Sequence, residues 1–468
     1  MPDLLTILNQ SSTSLAAHRE AAAVAGQNIA NVNTPGYSRQ TVNLEALTPD
    51  QLVPNGWIGR GVDVQSISQS RDAFLERQIP NAIASQSSSS TESDALAAVS
   101  ALDPNAPGGL SSALSVFYSS LRAVAQNPAD PASRRVAVSS ATQLAQSFNR
   151  TSQAIEDARN GLDDKINGIV NEVNTDAANM ASLNAQIRTA RAGGAQPNDL
   201  LDARRQLQDK LTALTGAQPV MDSQGDVSMA LPGGTALVSQ DRAAQLSTIP
   251  DSSNRGHLSL RITRADGSGP VSLPTSAAGG AIGGAIAARD GTLGAASTSL
   301  DSLAFDFANA INGVSSAGFA QDGTSGHNVF TVGATSAGAA GQITIDATLA
   351  ADPSLLAAAS AAGGLPGDNT NMNAMIATEQ TALAGGSDPE TTFSSIVAGF
   401  GGASQRAKAM SDQDGALLDN LTNLRESASG VSLDEEMVNL TSAQRAFEAM
   451  SKVITTADSM LDTLMSLK

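Results

Sequence analysis

Apolar residues recur every seven positions in the C-terminal part of the chain. One line consists of Leu433, Leu440, Phe447, Ile454 and Leu461, and a second line between them consists of Ala443, Met450, Ala457 and Leu464. Two such lines, three and four residues apart over four heptads, predict a long α-helix that packs against another helix as in a coiled coil.

A weaker pattern with the same period occupies the N-terminus. Its first line consists of Leu8, Leu15, Ala22 and Ile29, and its second of Leu4, Ala25 and Val32, with Ser11 and His18 as polar exceptions. Because this seam is too polar to be stable alone, we expect it to pair with the C-terminal helix. An antiparallel pair would place both termini at one end of an elongated molecule. Two surface helices docked separately on one core are the alternative.

The N-terminal helix is followed by a stretch that is typical of a helix break. It consists of Asn33, Thr34, Pro35, Gly36 and Tyr37. Asn33 can close the helix, and Pro35 and Gly36 suit the two central positions of a type II turn. Beyond the turn, Val42 and Leu44 alternate with polar residues, as in a strand.

The middle of the chain has helical periodicity first and strand periodicity afterwards. No proline lies between Ser133 and Arg191, and this stretch predicts a helix of roughly 90 Å at about 1.5 Å per residue. Asn198 and Gly216 bound a further predicted helix. From 227 onwards apolar residues alternate with polar ones between glycine-rich turns, which indicates antiparallel hairpins.

These patterns together predict a multidomain α+β fold that is mainly α with a β insertion. We expect a terminal coiled-coil domain (1–66 and 425–468), a long-helix bundle (67–216 and 365–424) and a small, outer antiparallel β domain (217–280 and 313–364). A glycine- and alanine-rich helix at 281–312 is placed with the bundle as one option.

Composition and motifs offer little chemistry. The net charge of −18 disfavours nucleic acid and anionic membranes as partners, and the absence of cysteine excludes disulfides and thiolate metal sites. His18, His257 and His327 have no metal-ligand spacing, and the last two lie in turn-like sequence that predicts solvent exposure. The acidic run Asp434–Glu436 is interpreted as helix capping, with Ser432 and Glu435 as a capping box. We therefore predict no catalytic residue, cofactor or metal.

Several motifs resemble one protein family in the same order along the chain. The stretch ANVNTPGYSRQ is similar to the N-terminal signature of flagellar rod, hook and hook-associated proteins. The segments GVDVQSISQSRDAFLERQ, NDLLDARRQLQDKL, GDNTN and SGVSLDEEMVNLTSAQRAFEAMSKVITTADSMLDTLM resemble the hook-associated protein 1 branch of that family. The likeness is strong at both ends and thinner between about 217 and 360.

The resemblance implies a structural role at the junction of flagellar hook and filament. The expected partners are further copies of the chain in a ring, the hook protein, the next hook-associated junction protein, an export chaperone on the C-terminal helix, and the type III export apparatus. The expected location is the extracellular flagellum after a transient cytoplasmic stage, which agrees with an N-terminus unlike a cleaved signal peptide. A sibling axial protein (hook, rod or flagellin) and a secreted enzyme with helical anchoring ends are the alternatives.

Overall fold

The fold is dominated by helices in a computed structural model that describes residues 4–53, 56–99, 109–222 and 225–466. The helices are α1 (Leu4–Ala30), α2 (Leu75–Ala97), α3 (Leu110–Gln126), α4 (Pro131–Ala192), α5 (Asn198–Thr215), α6 (Gly280–Ile286), α7 (Gly294–Ala317), α8 (Ala339–Gln342), α9 (Ala347–Ala351), α10 (Thr370–Ala377), α11 (Pro389–Ser429) and α12 (Leu433–Ser466). A π-helical segment, Ala287–Leu293, joins α6 to α7. No helix among these described residues is long and apolar enough to cross a membrane.

The strands of the described residues are short and form five antiparallel sheets. They are β1 (Gln40–Ala46), β2 (Asp50–Val53), β3 (Gly56–Ile58), β4 (Val62–Gln69), β5 (Gln218–Met221), β6 (Val227–Ala230), β7 (Ala236–Ser239), β8 (Arg242–Ala243), β9 (Gln245–Pro250), β10 (Leu258–Thr263), β11 (Val271–Ser272), β12 (Phe330–Thr331) and β13 (Thr344–Ile345). The sheet orders are β1-β4, β2-β3, β5-β6-β7-β8, β11-β10-β9 and β12-β13. The predicted class, mainly α with a β insertion, is confirmed.

Helix α4 is the central scaffold of the molecule. Asp130 caps its N-terminus by accepting hydrogen bonds from the backbone amides of Ala132 and Ser133, and Pro131 occupies the first turn, where no amide donor is needed. Its apolar face, which includes Phe148, Ile166 and Val173, is buried along the whole length. The predicted long helix is therefore confirmed.

One continuous hydrophobic core joins the helices to the strands. The buried residues of α3, α4 and α7 belong to the same cluster as Met229 and Val238 of the sheet β5-β6-β7-β8 and Ile262 of β10. At its centre five aromatic rings pack at centroid distances of 5.3–6.4 Å; they belong to Phe117, Tyr118, Phe148, Phe307 and Phe330. The strands thus share their core with the helices, and the three-domain boundaries stay a prediction.

The predicted helix at 281–312 exists, but it is interrupted by the π-helical segment. Gly284 packs so closely on α2 that a Cβ atom there would lie 2.1 Å from the carbonyl oxygen of Ser88. At the C-terminal end of α5, Gly216 has a φ of +72°, and a Cβ would lie 2.7 Å from the Cα atom of Gly279. Glycine is required at both positions because backbone meets backbone. The helix therefore packs within the bundle, against α2 and α5.

The predicted solvent exposure of His257 is wrong. The residue is 4% exposed, and its Nδ1 and Nε2 atoms lie 2.7 Å from Asp163 Oδ2 and 3.2 Å from Glu156 Oε2. Both carboxylates come from α4, which is distant in sequence, so the local turn pattern around His257 could not reveal them. Arg289 contacts Asp163, and Arg159 and Arg255 contact Glu156, so that cations and carboxylates are matched in this buried cluster.

Candidate functional site: the junction of the terminal helices

Helices α1 and α12 lie side by side and antiparallel. Near one end of the pair the Asn28 side chain contacts Glu436, and near the other end Leu4 and Ile7 share an apolar groove of about 560 Å³ with Val453 and Met460. The termini therefore lie together at one end of the pair. The predicted antiparallel pairing is present in the structure.

The line of closest approach in this pair follows the second predicted line of each helix, at Ser11 and Ala25 in α1 and at Ala443 and Ala457 in α12. In α1 the buried side chains are Ser11, Ser14, Ala17, Val24, Ala25 and Asn28, whereas the predicted residues Leu4, Leu8, Leu15, Ala22 and Ile29 are half-buried. In α12 the buried ones are Glu436, Ala443 and Ala457. Small side chains let the two backbones approach, and the larger residues flank the contact.

The predicted seam residues of α12 fall into two groups. Leu440, Phe447, Met450, Ile454 and Leu461 are half-buried against α1. Leu433 and Leu464 are 46% and 55% exposed. These exposures describe a single chain, so the role of all these residues in assembly stays a prediction.

The turn that follows α1 has the predicted geometry. Helix α1 ends at Ala30, and the amide of Tyr37 donates to the carbonyl of Thr34 at 3.2 Å across Pro35 and Gly36. Gly36 has a φ of +80°, as the third residue of a type II turn requires. A Cβ atom at this position would lie 2.3 Å from Gln206 Nε2, so a larger residue would displace this side chain of α5.

Helix α5 holds this turn from outside. Arg205 Nη2 donates to the carbonyl oxygen of Gly36 at 2.6 Å, and Gln206 Nε2 donates to that of Pro35 at 2.8 Å. Asp202 accepts from both the backbone amide and the hydroxyl of Ser38, which is fully buried. The break motif and Ser38 are therefore fixed to the bundle by three residues at positions i, i+3 and i+4 of one helix face.

Asn28 is the centre of a buried polar cluster in which the ends of α1 and α12 meet β1. Its Oδ1 atom accepts from the Tyr37 hydroxyl (2.8 Å) and the Gln40 amide (3.0 Å). Its Nδ2 atom donates to the Gln40 carbonyl (2.9 Å) and to Glu436 Oε2 (3.0 Å). The amide group thus satisfies all four of its hydrogen-bonding positions, and the partners fix its orientation.

Arg39 connects the same cluster to the start of α12. Its Nε atom donates to Glu436 Oε1 and its Nη1 atom to Glu435 Oε2, both at 2.8 Å. The Glu436 side chain is 3% exposed, and the backbone amide of Arg39 donates to the Ser429 carbonyl at the end of α11. We call the set of residues that makes these contacts the junction cluster; it consists of Asn28, Tyr37, Ser38, Arg39, Gln40, Asp202 and Glu436.

The electrostatics of the junction cluster keep Tyr37 neutral. Burial, together with the nearby carboxylates of Asp199, Asp202 and Glu436, raises the pKa of Tyr37 to about 12. Its hydroxyl therefore remains a donor to Asn28 throughout the physiological pH range. The side chains of the junction cluster are paired with one another by hydrogen bonds and ion pairs. This arrangement is suited to fixing α1, β1 and α12 relative to one another.

The role of Glu436 was missed in the sequence. The amide of Glu435 does lie 3.5 Å from the Ser432 hydroxyl, as a capping box requires, but the Glu435 carboxylate pairs with Arg39 instead of returning to the backbone. A signal was present, because the line Ala443, Met450, Ala457 and Leu464 reaches Glu436 when it is extended back by seven residues. A polar residue in a seam position indicates a buried polar contact.

Two regions of the chain match known protein families. Residues 100–330 match the family described as the flagellar hook-associated protein FlgK helical domain. Residues 425–467, which contain α12, match the flagellar basal body rod FlgEFG protein C-terminal family.

Relatives match over most of the chain. Flagellar hook-associated protein 1 of Escherichia coli is 25% identical over 99% of this chain and all of that protein, and that of Bacillus subtilis is 28% identical over 98% and 97%. The Salmonella typhimurium protein of that name is 30% identical over 70% of this chain and 60% of its own length. The structure of the flagellar hook junction protein FlgK from Burkholderia pseudomallei has the same fold, with a TM-score of 0.69 at 20% identity, covering 75% of this chain and all of that one.

Proposed function

The chain belongs to the flagellar hook-associated protein 1 family, and from that premise we propose that it forms the junction between the hook and the filament of a bacterial flagellum. The observation that carries this proposal is the full-length match to hook-associated protein 1, with helices α1 and α12 meeting in the junction cluster. A sibling axial protein is disfavoured because the helical-domain match lies in the hook-associated branch.

The finer partners belong to the same proposal. Copies of the chain form a ring that binds the hook protein on one side and the next hook-associated junction protein on the other. Before assembly the subunit is exported by the flagellar type III apparatus, with a cytoplasmic chaperone covering the apolar face of α12. The exposed side chains of Met437 and Met460 flank that face, and exposed apolar side chains favour a protein partner over water.

The proposed role is structural. Around His257 the carboxylates of Glu156, Asp163 and Asp301 are paired with arginines, which favours an ion-pair cluster over a metal site or an acid–base pair. These ion pairs connect α4, the π-helical segment and the start of β10. A structural role therefore explains them without any catalytic chemistry.

Localisation and deletion test the proposal together. In a strain that lacks the gene, we expect complete hooks without filaments and flagellin released into the medium, and a tagged copy of the chain should restore filaments and label the hook tip. A strain with fluorescent hook protein alone is the control. Normal filaments in the deletion strain, or a label along the filament, would contradict a junction role.

A further inference from the structure

Helix α11 carries an apolar stripe that the described residues of its own chain leave uncovered. Met410, Leu417 and Leu424 follow one another at seven-residue intervals and are 59%, 51% and 50% exposed. The neighbouring face of α11 packs on α2, where Leu421 joins Leu75 and Ile79 in a small cluster. The stripe therefore runs along the outer flank of a helix that is already fixed in the bundle.

Charge is distributed unevenly around this part of α11. At about 100° per residue, Asp412, Asp419 and Glu426 lie roughly 140–180° away from the stripe. The exposed residues beside the stripe are Arg406, Ala409, Gln413, Ala416 and Asn420. On the side towards α2, the half-buried Asp414 lies about 60° from Leu417, whereas the exposed side of the stripe carries one arginine and no carboxylate, in a chain with 45 acidic and 27 basic residues.

We propose that the stripe of Met410, Leu417 and Leu424 is a contact surface between neighbouring copies of this chain. Two copies that each carry a net charge of −18 repel one another, so a contact between them must keep carboxylates out and bury apolar surface. A stripe along the side of a long helix is also suited to a subunit that lies alongside. The inference rests on the proposed function, because it is the ring that supplies such a neighbour.

A ring requires this contact to be heterologous. The stripe of one copy meets a different surface of the next copy, since only a head-to-tail contact continues around a closed ring. Spacing of seven residues favours a helical surface as the counterpart, with the large side chains inserted between those of the neighbour.

Leu417→Lys is the direct test, and Asn423→Lys is its matched control. Asn423 is exposed on the same helix about 120° away from Leu417, so the control adds the same charge outside the stripe. Both purified variants should keep the parent's melting temperature within about 2 °C because both sites face solvent. In cells that lack the parent gene, Leu417→Lys should reduce filament-bearing cells by about tenfold or more, while Asn423→Lys should leave them unchanged.

Photo-crosslinking identifies the neighbour. With p-benzoylphenylalanine in place of Leu417, intact flagella should give an adduct of two copies of this chain, and the same residue at position 423 should not. Adducts with another flagellar protein alone, or normal filaments with Leu417→Lys, would overturn the inference. If the parent chain itself were absent from the hook tip, the proposed function would fail instead, so the two failures are distinguishable.

Discussion

At the scale of single residues, Asn28 and Glu436 determine how the terminal helices are aligned. Each is buried in a helix pair whose other contacts are small or half-buried side chains. A buried polar contact is satisfied in only one alignment, because sliding one helix by a turn would leave the amide and the carboxylate without partners. The pair gains its register from polar groups and only modest stability from its apolar ones.

The pair of Arg39 and Glu436 should be strongly coupled. We expect a double-mutant cycle of Arg39→Gln and Glu436→Gln to give a coupling free energy of about 1–3 kcal/mol, because Glu436 is buried and the hydrogen bonds are charge-assisted. The coupling free energy is measured from hydrogen exchange of the Gln40 backbone amide, because that amide donates to Asn28 within the junction cluster.

The exposed pair of Lys408 and Asp412 on α11 serves as the control for this cycle. Its side chains are 66% and 67% exposed, so its coupling should be below about 0.5 kcal/mol, and its removal should leave exchange at Gln40 unchanged. Equal coupling in the two pairs would show that the junction cluster is an ordinary surface arrangement.

At the scale of elements, the sequence predicted the helices whose apolar residues recur with helical periodicity along the chain. Helix α5 begins at Asn198 and is closed by the left-handed Gly216 as expected, but the Asn198 side chain does not cap it and donates instead to Gln40 Oε1 and the Ile67 carbonyl. The π-helical segment was not predicted, because no local pattern in the sequence encodes it. The partners of His257 and Glu436 were missed for the same reason: they are supplied by residues about 100 and 400 positions away.

The terminal helices should differ from α4 in local stability. Amides of 440–466 and 4–20 should exchange at least about 100-fold faster than those of 137–187 in the isolated chain, because the pair of α1 and α12 buries few large side chains. Hydrogen exchange followed by mass spectrometry on dilute protein measures this difference. Assembled junctions should protect the same terminal amides.

Slow exchange in both terminal helices of the dilute, isolated chain would contradict this expectation. It would mean that α1 and α12 are already rigid without neighbours, so that assembly would not be needed to order them. The amides of α3, which belong to the main core, are the internal reference for a fully folded region.

At the scale of the whole molecule, the main hydrophobic core and the contact between α1 and α12 consist of different residues. The continuous hydrophobic core draws on α2 to α11 and on the strands from β6 onwards, and it contains no residue of α1 or α12. The terminal pair meets the rest of the chain through the junction cluster and the sheet of β1 and β4. The folding of the bundle should therefore be independent of the ends, while assembly should depend on them.

Removal of residues 1–32 and 433–468 tests this separation. The truncated chain should remain monomeric and keep a cooperative thermal transition within about 5 °C of the parent, because the truncation spares every residue of the main core. It should fail to restore filaments in a strain that lacks the gene. The Arg39→Gln and Glu436→Gln double variant keeps both terminal helices. It therefore distinguishes the effect of losing the junction cluster from the effect of losing α1 and α12. A truncated chain that unfolds would contradict this separation. It would show that the bundle needs the contacts that α1 and α12 make with it.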